Sequence, residues 1–280
     1  LAHALNGGYS LLGGIYYADR GDVILKTAGQ VASAGQLDSD GQPVYTILAL
    51  GDGTAQVHAR GDVDIHAVFN PTLFDQSSSL SSSTAKSVFN VTNNSGRDSV
   101  FSTYSDASAA VLQSLDGDVH LHNPTTLSST LDPFAKPLND NNNNATRGMY
   151  GLDILPPSLS VAAFQGDVTI SDPGAAGELV LAPSAQGALE LLVADSIRLN
   201  QSLVMSDRDP GDTPSAVLPG NPAATINPVV SWGTKSDPLF HAAQPVHAGD
   251  TEPVRIYAVA GDISGGSQST GNQNRLDLPK

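Results

Sequence analysis

The chain has 280 residues, with 13 Lys and Arg against 28 Asp and Glu, a formal charge of −15 and no cysteine. That balance argues against nucleic acid or anionic lipid as a partner, because both demand clustered positive charge. Without cysteine there is no disulfide and no thiolate metal site. Helix formers are scarce, no long run carries apolar residues at helical spacing, and no apolar stretch approaches the ~20 residues that cross a membrane. An all-β chain without membrane insertion is expected.

In chain order, the first element is Gly21-Asp22-Val23-Ile24-Leu25, a Gly-Asp pair followed by alternating apolar residues. The phrase returns as Gly61-Asp62-Val63-Asp64-Ile65, Gly117-Asp118-Val119-His120-Leu121 and Gly166-Asp167-Val168-Thr169-Ile170, and is cut short at Gly261-Asp262-Ile263. Looser variants begin at Gly177-Glu178 and Asp195-Ser196. Each copy sets two apolar side chains on one face of a short strand and a third residue on the other. Further strand candidates occupy 44–50, 54–59, 110–115, 159–164 and 254–259. The one helical candidate, 187–199, also reads as strand, turn, strand in phase with the repeat, and that reading is preferred.

The unit is therefore strand, sharp Gly-Asp turn, strand. Glycine gives the corner a permissive backbone, and aspartate can bond the local backbone there. Two-residue hairpins favour Asn-Gly or Asp-Gly, the reverse order, so a bend in a coiling parallel ribbon fits better than a reversal. Stacked copies bury apolar faces that one copy alone would expose. The strict copies begin 40, 56, 49 and 95 residues apart, so each gap holds degenerate copies or an excursion. Excursions are expected near 71–108, 123–158 and 207–253, with one β-helical segment over 1–263 and a flexible tail over 264–280.

The runs ARGDVDIHA (59–67), DGDVHLHN (116–123), QGDVTISD (165–172) and ADSIRLNQSLVMSD (194–207) resemble filamentous-haemagglutinin-like exoproteins of two-partner secretion. The resemblance implies a right-handed parallel β-helix (a solenoid) with extended loop excursions, and a secreted or cell-surface bacterial protein. It implies an outer-membrane transporter as export partner, and a host-cell or bacterial surface receptor or glycan as target. The family's Asn-Pro-containing export motif has no match here, and the chain opens on Leu1 without a leader pattern. An internal or C-terminal segment is expected, acting as a stiff stalk that presents loops for attachment, with no catalysis and no cofactor.

Candidate sites are few. Arg-Gly-Asp occurs twice, as Arg20-Gly21-Asp22 and Arg60-Gly61-Asp62, and is a candidate adhesion motif; membership of the structural repeat explains both copies more simply. If copies align on Gly-Asp, His66 and His122 take equivalent outward positions, as do Asp64 and His120. That spacing reaches a metal only if the copies are neighbours, and outward polar residues ordinarily just face water, so no metal is expected. Asp38-Ser39-Asp40-Gly41 and Asp207-Arg208-Asp209-Pro210-Gly211-Asp212 offer oxygen donors but match no complete calcium loop and read as polar turns. Sequons occur at Asn90, Asn93, Asn144 and Asn200.

Two rival readings remain. A carbohydrate-active β-helix enzyme, of lyase or hydrolase type, would need converging carboxylates. Asp64, Asp118 and Asp167 are the candidates, though Asp118 and Asp167 belong to the repeat. A carbohydrate-binding module would stack sugars on Tyr104, Tyr150 and Trp232.

Overall fold

A computed structural model describes residues 2–3, 13–31, 36–37, 43–73, 101–123, 154–173, 178–213, 215–217, 242, 244, 246–247, 254–265 and 276–277. Just over half of these residues lie in β-strands, and almost none in helix. The strands are β1 (Ala2–His3), β2 (Gly14–Thr27), β3 (Gln36–Leu37), β4 (Pro43–Val44), β5 (Thr46–Ala59), β6 (Val63–Ile65) and β7 (Ala67–Phe69). Next come β8 (Ala109–Ser114), β9 (Val119–Leu121) and β10 (Ile154–Leu155), then β11 (Ser158–Ala163), β12 (Val168–Ile170) and β13 (Glu178–Leu181). The last are β14 (Leu189–Val193), β15 (Ile197–Leu199), β16 (Ser202–Met205), β17 (Val254–Ala258), β18 (Ile263–Gly265) and β19 (Leu276–Asp277). The helical turns described are Pro71–Leu73 and Pro210–Asp212, and no described helix is long and apolar enough to cross a membrane.

Three parallel sheets hold nearly all of these strands. The first runs β1-β2-β5-β8-β11-β14-β17, with β7 also on β5; the second runs β6-β9-β12-β15-β18; the third runs β10-β13-β16-β19. Among the described strands, only β3 and β4 pair antiparallel. From β8 onward, each successive trio of strands gives one strand to each sheet in the same order.

The sequence pattern explains why. In β8 burial alternates, with Ala110, Leu112 and Ser114 inside. Register places Val57, Leu112, Val161 and Leu191 in one column of the first sheet. Val63, Val119, Val168 and Ile197 form a column of the second sheet, and Leu181 meets Met205 in the third. All of these belong to one buried apolar cluster. Each such side chain contributes roughly 1.5–3 kcal/mol by leaving water.

The Gly-Asp corners stack as well, but not through local bonds. Asp118 N–H donates to Asp62 Oδ1 at 3.0 Å, Asp167 N–H to Asp118 Oδ1 at 2.8 Å, and Ser196 N–H to Asp167 Oδ1 at 2.8 Å. Asp262 N–H closes the series on Ser196 Oγ at 3.2 Å. Asp62, Asp118 and Asp167 thus each serve the next unit, where a bond within the aspartate's own turn was expected. Glycine is required at Gly117, Gly166 and Gly261 for clearance, since a Cβ there would strike the side chain and backbone of the preceding corner.

Three further expectations change. Gly21-Asp22 is not a corner: it lies inside β2, opposite Gly53 and Thr54. The matching corner is Gly29-Gln30-Val31, because Gly61 N–H donates to the Gly29 carbonyl and Val31 bridges Val63. Glu178 opens a strand of the third sheet, not the second. In the 56- and 49-residue gaps no other strand of the second sheet intervenes, since β6 pairs directly with β9 and β9 with β12, whereas the 95-residue gap contains the degenerate copy at Asp195-Ser196-Ile197. Leu276–Asp277, within the segment expected to be a flexible tail, pairs with β16. Most of the three expected excursions lies outside the described residues.

Candidate metal centre

The direct pairing of β6 with β9 brings together side chains 56 residues apart. Asp64 sits between buried Val63 and Ile65, and His120 between buried Val119 and Leu121, so the pleat turns both outward, opposite one another. His122 follows the end of β9, its N–H held by the Ile65 carbonyl at 2.9 Å. Asn123 next adopts a left-handed backbone, φ 40°. Its Oδ1 accepts from Val68 N–H at 2.7 Å, which fixes the bend that carries His122 back toward β6. One unit on, Ser171 is also left-handed, φ 66°, and Asp172 beyond it turns toward the histidines.

Asp64, His120 and His122 each offer one ligand atom, and these atoms lie within 4.8 Å of one another. His122 Nε2 is 2.5 Å from Asp64 Oδ1, and its Nδ1 is 2.7 Å from Asp172 Oδ1. Both contacts are met by donors only when the ring is an imidazolium. Burial alone would lower the His122 pKa, but hydrogen bonds and charge from Asp64 and Asp172 outweigh it and raise the value. The His120 ring lies 3.7 Å from that of His122 and 31° from its plane. Its Nε2 is sealed from solvent without a hydrogen-bond partner, with Asp172 Oδ1 at 3.5 Å. Burial first, then the His122 charge, holds His120 low. The same causes push His66 down to about 4. His66 stacks on Tyr45 at 4.0 Å, its ring 6.1 Å from that of His122. One imidazole thus lies between two carboxylates that favour its charged form, flanked by two whose burial disfavours theirs.

Neither Tyr45 nor Asp172 was legible in the sequence. Tyr45 arrives because β7 doubles back on β5 and His66 N–H bonds the Thr46 carbonyl. Asp172 arrives through the left-handed Ser171, which no composition rule marks.

The other candidates fall elsewhere. Arg20, Gly21 and Asp22 lie in mid-strand, with Gly21 at φ 109° and the Thr54 hydroxyl donating to Asp22. Arg60, Gly61 and Asp62 do occupy a corner. There Arg60 Nε donates to Asp116 Oδ2 at 2.6 Å, and Asp62 holds the Asp118 N–H, so both charged ends of that tripeptide engage the next unit. Tyr104 is half-buried against the core, its hydroxyl donating to the Ile154 carbonyl at 3.2 Å, and burial raises its pKa. Tyr150 and Trp232 lie outside the described residues, as do Asp38-Ser39-Asp40-Gly41 and the sequons at Asn90, Asn93 and Asn144. Asp209 caps a helical turn through Gly211 N–H at 2.8 Å, and the Asn200 amide donates to the Ser171 carbonyl at 2.9 Å. Asp118 and Asp167 are engaged at the corners, each accepting a backbone N–H from the next unit.

Comparison with protein families, with curated proteins and with solved structures finds no match for this chain.

Proposed function

We propose that the chain is a stalk segment of a secreted or surface-anchored bacterial exoprotein of the filamentous-haemagglutinin type, wound as a right-handed parallel β-helix. Its work is mechanical: it holds a distal module away from the cell while its excursions meet a surface receptor or glycan. Export runs through an outer-membrane transporter.

The observation that supports this reading is the continuity of the stack. Successive trios of strands visit three parallel sheets in the same order, and one apolar cluster draws on all three. Such an arrangement grows in length without needing a larger core, because each unit contacts only its neighbours. The charge of −15 limits lateral association of neighbouring stalks.

The test is excision of whole units from the parent exoprotein displayed on cells. An epitope at its distal end should approach the outer membrane by about 4.8 Å per unit removed, the spacing of paired strands, with export retained. An unchanged reach in electron micrographs would sink the stalk reading. Cell or glycan binding by the isolated chain at the level of the parent would make it the adhesin itself.

A further inference from the structure

We propose that Asp64, His120 and His122 form a binding site for a divalent ion of the zinc, nickel and copper class, bridging two neighbouring repeat units. Two imidazoles and one carboxylate suit these borderline ions, whereas magnesium and calcium prefer all-oxygen sets. An ion with bonds of ~2.0–2.1 Å holds tetrahedral ligands roughly 3.3 Å apart. The three donor atoms lie within 4.8 Å of each other, so side-chain rotation of about an ångström closes them on one centre.

Two independent observations single out this cluster from an ordinary polar surface. His120 Nε2 is sealed from solvent with no hydrogen-bond partner, a condition that folded proteins seldom tolerate and that an ion relieves. Asp172 Oδ1 stands 2.7 Å from His122 Nδ1. That places a carboxylate behind a ligating imidazole, which fixes its tautomer and aims the opposite nitrogen at the ion. The ion takes the place of the contact between His122 Nε2 and Asp64 Oδ1, and an imidazole bound through Nε2 keeps its proton on Nδ1, where it donates to Asp172. With three protein donors, a fourth position remains for water. The inference rests on the geometry of this cluster and does not depend on the stalk reading.

The experiment titrates the chelator-treated chain with Zn²⁺ by calorimetry and with Co²⁺ by visible absorption, with folding checked by circular dichroism. One equivalent should bind, Co²⁺ should give ligand-field bands, and the melting midpoint should rise with Zn²⁺. His120→Gln and Asp64→Asn should each weaken Zn²⁺ binding at least tenfold. His58→Gln, whose ring bonds Gln113 on the first sheet, should bind as wild type. Absence of binding by the folded wild-type chain overturns the proposal. So does equal affinity in wild type, His120→Gln and Asp64→Asn, which would assign the ion to other histidines.

Discussion

A side chain built on Gly117 would run into Asp62 Oδ1 and the Asp62 N–H, and one on Gly166 into Asp118 Oδ1 and the Gly117 carbonyl. Both crowdings have one origin. Each corner aspartate receives an N–H from the unit above, which draws the two backbones close. At Gly61 the corner beneath carries Gln30 instead, and an added Cβ would meet the Gly29 carbonyl at an ordinary 3.4 Å. Gly117→Ala should therefore cost about 1–3 kcal/mol, the usual range for forced overpacking, while Gly61→Ala should stay within about 0.5 kcal/mol. Denaturant midpoints of the two variants check this, and equal losses would refute it. The ladder is also sensitive to acid. Partial burial pushes the Asp167 carboxyl up, but the hydrogen bond from Arg198, the Ser196 N–H and the guanidinium charge outweigh this and hold it below 3.8. A carboxyl whose folded pKa is depressed stabilises the fold fully above the unfolded value and loses that contribution as pH falls through the folded one. The stability gap between wild type and Asp167→Asn should accordingly hold at neutral pH and narrow below about pH 3.8. Urea melts at both ends of that range measure it.

Within a strand, the side of the pleat decides what a leucine is worth. Leu112 is wholly buried in the first sheet, between Val57 and Val161, whereas Leu115, just past the end of β8, is 54 % exposed. Leu112→Ala should lower stability by about 2–5 kcal/mol, as cavity-forming substitutions do, and Leu115→Ala by less than about 0.5 kcal/mol. Thermal melts distinguish them. This alternation was readable in advance, as were the corners at Gly61, Gly117, Gly166 and Gly261, because burial and close backbone approach constrain the residue type there. The first corner was misplaced because its steric role needs only the glycine. Gln30 can stand where Asp stands elsewhere, while a true Gly-Asp happens to fall in mid-strand at Gly21. The histidine cluster was half legible. The positions of Asp64, His120, His66 and His122 relative to Val63 and Val119 made Asp64 equivalent to His120 and His66 to His122, but a 56-residue gap cannot say whether another unit intervenes. Only the observed pairing settles that, and Asp172 depends on a left-handed Ser171 that its residue type does not foretell.

At the scale of the whole chain, the ends of the stack differ from its middle. In β14, Leu189, Leu191 and Val193 are nearly inaccessible, while their register partners in β17, Val254, Ile256 and Ala258, are only half-buried, and Ile263 in β18 is 54 % exposed. Among the described residues, the last unit is thus covered by one neighbour where inner units have two. If stability is a sum of unit and nearest-neighbour contributions, removing β17, β18 and β19 deletes one interface and hands the same partial exposure to β14, β15 and β16. A chain ending at Ser206 should retain the parallel-β circular dichroism spectrum, unfold at a lower midpoint, and show a smaller denaturant slope because less surface is uncovered. A single closed core would behave differently, since loss of a wall would open the interior and leave no cooperative transition. Complete loss of structure on this truncation would therefore count against a modular stack, and with it against a stalk that lengthens unit by unit.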